Sequence, residues 1–132
     1  MKNKVYRTTG SELPMLRRQL SAVPGLWVGE LDGNEIHDWS DYAKAIEVLM
    51  EFPTTCTIFD VYLDWIRDLD WLNADGYALI IKNFSSFLNQ DSEARDDVIH
   101  TFFEYVLPWW EEEVKHCVVE GKPKPFNVYL ID

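Results

Sequence analysis

Apolar positions along the chain follow two periods, and the switches between them mark out the elements. Leu26-Trp-Val-Gly-Glu-Leu is a strand-length run that ends at Asp32-Gly-Asn, a tight-turn signature. Beyond it Tyr42, Ile46, Leu49 and Met50 recur in steps of three and four residues, the spacing of one helical face. Asp38 or Ser40 stands where a side-chain oxygen can accept the orphan N–H groups at that helix's start. Phe52-Pro53 ends the helix, because the residue before proline avoids helical dihedrals. Thr54-Thr-Cys-Thr-Ile is a short linker. Phe59 to Leu69 reads as a second helix, with Phe59, Tyr62, Leu63, Ile66 and Leu69 on one face.

The run Gly76-Tyr-Ala-Leu-Ile-Ile-Lys does not alternate between polar and apolar. Continuous apolarity of that length is the mark of a parallel strand covered on both faces. Asp91-Ser92 opens a longer helix that turns Val98, Ile99, Phe102, Phe103 and Val106 inward. Pro108 is expected to bend, break or restart it, since proline removes a ladder donor and crowds the preceding turn. Trp109 and Trp110 cannot both face inward on a regular helix, so one of them is expected at a surface. Gly121-Lys-Pro-Lys-Pro is a loop, and Phe126-Asn-Val-Tyr-Leu-Ile is the last strand. The order strand, helix, helix, strand, helix, strand predicts an α/β domain: a small three-stranded parallel sheet packed by helices.

Charge divides the chain where the periodicity does not. Its 132 residues, 47% of them hydrophobic, suit a single folded domain with a formal net charge of −11. Residues 1–24 hold Lys2, Lys4, Arg7, Arg17 and Arg18 against Glu12 alone, a net of +4, while residues 25–132 carry −15. Residues 1–24 are therefore read as a basic N-terminal extension, with Leu13, Leu16 and Leu20 forming one short helix, and residues 25–132 as the domain. The extension could fold back across an acidic face. So negative a domain repels the phosphate backbone and anionic membrane surfaces and attracts basic proteins. Val5-Tyr-Arg-Thr-Thr-Gly supplies no apolar signal core, and no run approaches membrane-spanning length, so a cytoplasmic protein, monomeric when free, is expected. Cys56 and Cys117 lie far apart without ligand spacing, which suits two reduced thiols.

The stretch Phe59-Asp-Val-Tyr-Leu-Asp-Trp-Ile-Arg-Asp-Leu concentrates the chemistry. Asp60, Asp64 and Asp68 recur every fourth residue, and like charges so spaced destabilise a helix by about 0.2–0.5 kcal/mol per pair. Only Arg67 lies alongside to offset them. A solvated polar face, an anionic ridge for a cationic target, and a divalent metal held by Asp60 and Asp64 are the three readings. No third ligand motif or phosphate-binding glycine loop accompanies the last, which would make the chain a magnesium-dependent hydrolase. Cys56 is a conceivable nucleophile ahead of a helix, or a packing residue at the base of a loop. His37, His100 and His116 are scattered and neighbour no nucleophile motif.

Leu31-Asp-Gly-Asn-Glu-Ile, Phe52-Pro53, Asp60-Val-Tyr-Leu-Asp64-Trp-Ile-Arg-Asp-Leu, Tyr77-Ala-Leu-Ile-Ile-Lys-Asn and Pro125-Phe-Asn-Val-Tyr-Leu occur in this order. The ordered set, over roughly residues 26–131, resembles barstar-related proteins. That resemblance implies a three-stranded parallel sheet packed by helices. It also implies a non-enzymatic protein without cofactors that inhibits a basic ribonuclease or related toxin, as a bacterial immunity protein does. Asp60 and Asp64 match the two aspartates of the family's D-A-L-x-D segment, Asp64 being the one inserted deepest among the nuclease's phosphate-binding cations. Asp68, Arg67 and the loop residues Thr55, Cys56 and Thr57 would surround them. Glu111, Glu112 or Glu113 could supply an acidic contact from the last helix, with Glu112 the central choice. The family's aromatic, glycine and asparagine between its proline and first aspartate are absent here, and the loop is one residue shorter. The partner's identity therefore stays open between a ribonuclease-type toxin, another toxin, and the target of a regulatory domain that no longer inhibits.

Overall fold

The computed structural model describes residues 2–132. Four strands, β1 (Val5–Thr8), β2 (Leu26–Asp32), β3 (Gly76–Lys82) and β4 (Phe126–Ile131), form one wholly parallel sheet in the order β1-β4-β3-β2. The α/β class with a helix-packed parallel sheet agrees with the sequence; the count of three strands does not. The fourth strand comes from residues 1–24, where Val5-Tyr-Arg-Thr pairs along its length with Val128 to Ile131. Only Val5 of that short edge strand packs against the main core, so its apolar pattern is too sparse to announce a strand.

Helix α1 (Leu13–Ser21) then crosses behind the sheet. Leu13 and Leu20 pack with Ala78, Ile80 and Ile131, and Leu16, Leu26 and Tyr129 join at the margin. On the front face Tyr77, Leu79 and Ile81 of β3 meet Phe126, Val128 and Leu130 of β4 and the other helices. A strand presents alternate residues to opposite faces, so β3 needs apolar cover on both. The segment set apart by its charge provides the back cover, and it is integral to the sheet instead of lying across an acidic face. Arg17, on α1, grips Glu30 of β2 through two 2.7 Å hydrogen bonds, which takes up part of the positive charge.

The connections keep one hand. From β2 to β3 to β4 the chain steps in one direction with its helices in front; from β1 to β2 it returns in the other with α1 behind. Reversing both direction and face preserves the handedness that parallel crossovers require.

The front layer begins with α2 (Trp39–Leu49), whose N-cap is Asp38, its carboxylate accepting from Asp41 N at 2.9 Å. Next comes α3 (Phe59–Ile66), shorter than the helix expected to run to Leu69. Helix α4 (Ser92–Thr101), capped by Asp91, continues through two π-helical stretches, Phe102–Val106 and Trp109–Glu113, into α5 (Val114–Cys117). Pro108 neither breaks nor restarts this run, because it sits between π turns, where the register of the ladder already shifts. The wider π turn also brings consecutive side chains closer to one face, so Trp109 and Trp110 are both buried, contrary to the regular-helix expectation. Among the described residues no helix is long and apolar enough to cross a membrane.

Truncating a back-face side chain tests the double cover. Leu20→Ala should lower unfolding stability by about 2–4 kcal/mol in urea titration; a change within experimental error would mean α1 is a dispensable appendage.

Candidate functional site

Helix α3 is amphipathic in the strict sense. Tyr62 and Ile66 are fully buried, Phe59 and Leu63 lie against the core, and Asp60 and Asp64 are exposed. The two carboxylates stand one turn apart, with Cβ atoms about 6 Å from each other. Among the described residues neither forms an ion pair. Asp68 does not extend this stripe. The helix ends at Ile66, Leu69 takes the left-handed conformation (φ 56°), and Asp68 turns to accept Asp70 N at 3.2 Å. The ridge is thus an exposed aspartate pair on a helix, with a third aspartate in the turn that follows.

Contacts to the backbone and the inner face hold the helix, and none uses the aspartates. Inside, the Tyr62 hydroxyl bonds that of Tyr42 on α2 at 2.7 Å, their rings meeting edge to face. At the C-terminal end, Trp110 Nε1 donates to Ile66 O at 3.0 Å and Trp109 Nε1 to Arg67 O at 2.8 Å. These are carbonyls that a helix terminus leaves without intrahelical partners. Two indoles from one π turn therefore cap α3, a role that needs both tryptophans inward.

The loop ahead of α3 is held at three points. Trp39 Nε1 donates to Thr57 O at 2.8 Å, Glu47 Oε1 accepts from Cys56 N at 2.8 Å, and Trp65 Nε1 donates to Thr54 Oγ1 at 2.8 Å. Cys56 itself points inward, fully buried, with its thiol donating to Ala43 O at 3.2 Å. Burial, and then the nearby Glu47 carboxylate, push that thiol up to about 11, the opposite of what a nucleophile needs. Cys56 is the packing residue at the loop's base, and its side chain offers no contact surface. Thr55 and Thr57 remain exposed, and so does Ile58, 64% accessible immediately before Phe59-Asp60. Sequence reasoning missed Ile58 as a surface residue; its signal was an apolar side chain closing an otherwise polar linker.

The other nominated residues are dispersed. Arg67 caps the end of α3 and stacks over the Trp109 ring at 4.1 Å. Glu112 lies on the second π stretch, exposed, within 3.6 Å of Lys115 and 3.7 Å of His116. Glu111 turns instead to the N-terminal segment, accepting Asn3 N at 2.8 Å. Among the described residues no three metal-ligating side chains converge, so the fold brings no third ligand to Asp60 and Asp64.

The buried groups give this region an alkaline limit. The Cys56 thiol is raised from 9.0 to about 11, and the Tyr77 hydroxyl, mainly by burial and then by Asp70 and Asp68, from 10.0 to about 12. The fold favours both neutral forms, so their contribution is whole below the unfolded values and fades as pH climbs through the folded ones. The urea midpoint should therefore fall between pH 9 and 11, and Cys56→Ala should flatten that fall; a midpoint level to pH 11 would contradict the burial of the thiol.

Comparison with known proteins adds one finding. A family model described as Barstar (barnase inhibitor) matches residues 27–121, from β2 through the whole front layer to the loop before β4. No curated protein and no solved structure matches the chain. The match spans well over half of the sequence and includes α3 with its loop, whereas β1 and α1 lie outside it. The chain belongs to the barstar family.

Proposed function

We propose that this protein binds a basic protein, of the ribonuclease-toxin class, by presenting α3 to the cationic cleft of that partner, and so acts as an inhibitor or immunity protein. The observation that carries the reading is the pair Asp60 and Asp64: exposed, without counterions of their own among the described residues, on a helix fixed from behind by Tyr62, Trp109 and Trp110. A solvated polar face would not need such anchoring. A surface that must meet a partner without reorganising gains from it, because less ordering is left to do on binding.

Charge sets the encounter and shape sets the fit. A net of −11, with Asp60 and Asp64 exposed on α3, speeds association with a basic protein, an effect that salt screens. Around the aspartates, Thr55, Thr57 and Ile58 form the rim, with Ile58 standing in the loop where the family carries an aromatic. Asp68 and Arg67 flank the far end. Glu112, paired with Lys115 and His116, would have to exchange those contacts to take part. The shortened loop favours a partner whose rim differs from that of barnase.

Capture from the cell of origin tests this directly. Wild-type protein should retain a small basic nuclease that Asp64→Lys does not. Asp64→Ala should weaken the complex by about 2 kcal/mol or more, and added salt should slow association with little effect on dissociation. Ile58→Ser should speed dissociation and leave the salt dependence unchanged. A complex indifferent to both Asp64 and salt would sink the reading.

A further inference from the structure

Behind the far end of α3 lies a cleft of about 580 Å³, the size of a small-molecule site. Three cations, Arg67, Lys122 and Lys124, line it together with the apolar side chains of Trp110, Val114 and Val118. Asp68, Asp70 and Glu120 share the lining. Among the described residues none of the three cations forms an ion pair, although carboxylates line the same cleft.

Two polar atoms here are buried and unpartnered: the Nε of Arg67 and the hydroxyl of Tyr77. A buried donor without an acceptor costs about 1–3 kcal/mol, and native proteins leave few of them. The Tyr77 ring lies against Trp110 at 5.3 Å and under Lys124 Nζ at 5.7 Å, two residues that line the cleft as Arg67 does. The apolar side is equally unspent, since Val119 is 93% exposed and Val118 nearly half.

The walls are already set. Lys124 N donates to Trp110 O at 2.9 Å and Gly121 N to Val118 O at 2.9 Å. A Cβ on Gly121 would come within 2.2 Å of Val114 O, so the loop closes on α5 only with glycine there. Trp110 belongs to a π turn, a distortion found often at functional sites.

We infer that this cleft binds a small organic monocarboxylate. Its carboxylate meets Arg67, with Lys122 and Lys124 beside it, and its apolar part rests on Trp110 and the valines. A planar carboxylate matches the guanidinium fork as a lone point charge does not, and the guanidinium has to turn to bring its buried Nε to the ligand. The three carboxylates of the lining and the overall charge disfavour ligands with several negative charges, such as polyphosphates and nucleic acid. Seating the carboxylate turns the guanidinium on the Trp109 ring, so binding is readable there. This inference does not rest on α3 having a protein partner.

Titration of the full chain with benzoate, followed by NMR of the Arg67 Nε–H and the Trp109 and Trp110 indole N–H signals, is the test. Benzamide serves as the uncharged control and inorganic phosphate as the control for charge alone. Saturable shifts at millimolar benzoate, absent with benzamide and weaker with phosphate, are expected. Lys124→Gln should weaken the affinity several-fold and Arg67→Gln by about tenfold or more. No saturable shift with benzoate, or equal shifts with benzamide, would overturn the inference. The wild-type titration decides the matter even where Arg67→Gln fails to fold.

Discussion

The central strand β3 has no face it can leave to water. Tyr77, Leu79 and Ile81 point forward, Ala78 and Ile80 backward, and all are buried. Such a strand demands three layers, and the rest of the architecture answers that demand. The front layer is built from α2 to α5, and the back layer from α1 alone. The first strand must start at the far edge so that α1 can cross behind the sheet and deliver the chain to β2. A positive segment that looked separable is in this way bound into the fold by the apolar pattern of a strand some fifty residues later.

The same economy of layers explains how an acidic helix can be held still. α3 sits in the front layer with its inner face locked by the Tyr42–Tyr62 hydroxyl pair and its end capped by two indoles. Each of these interactions acts on the backbone or on the buried face. The carboxylates of Asp60 and Asp64 are therefore left without local counterions. The loop before α3 obeys the same rule: Trp39, Glu47 and Trp65 grip its backbone and one hydroxyl, and Cys56 plugs the space beneath. Rigidity and unneutralised charge coexist because they are supplied by different atoms.

Much of this was legible in the sequence, for physical reasons that also say where legibility ended. The Tyr77-Ala-Leu-Ile-Ile run announced a strand covered twice, but β1, with one inward residue, carried too little pattern to reveal what covers it. The cap at Asp38, offered together with Ser40, and the helix start at Asp91-Ser92 were readable because a cap is a local bond. The end of α3 was not, because it depends on Trp109 and Trp110, more than forty residues away, and on a left-handed Leu69. The inward turn of both tryptophans lay beyond a reading that assumed regular helical spacing, since nothing local in Pro-Trp-Trp-Glu signals a π turn. Asp60 and Asp64 were nominated from spacing and resemblance, whereas the cleft beside Arg67 needs the loop at residues 118–124 to be brought against the end of α3.

The claim on which the functional account turns is that α3 and its loop are the face that meets the partner. Amide hydrogen exchange, compared between the free protein and its complex with the captured basic protein, measures this residue by residue. The account predicts added protection concentrated over residues 54–68, with β1 and α1 unchanged. Protection on α1 or β1 with residues 54–68 unaffected would contradict it.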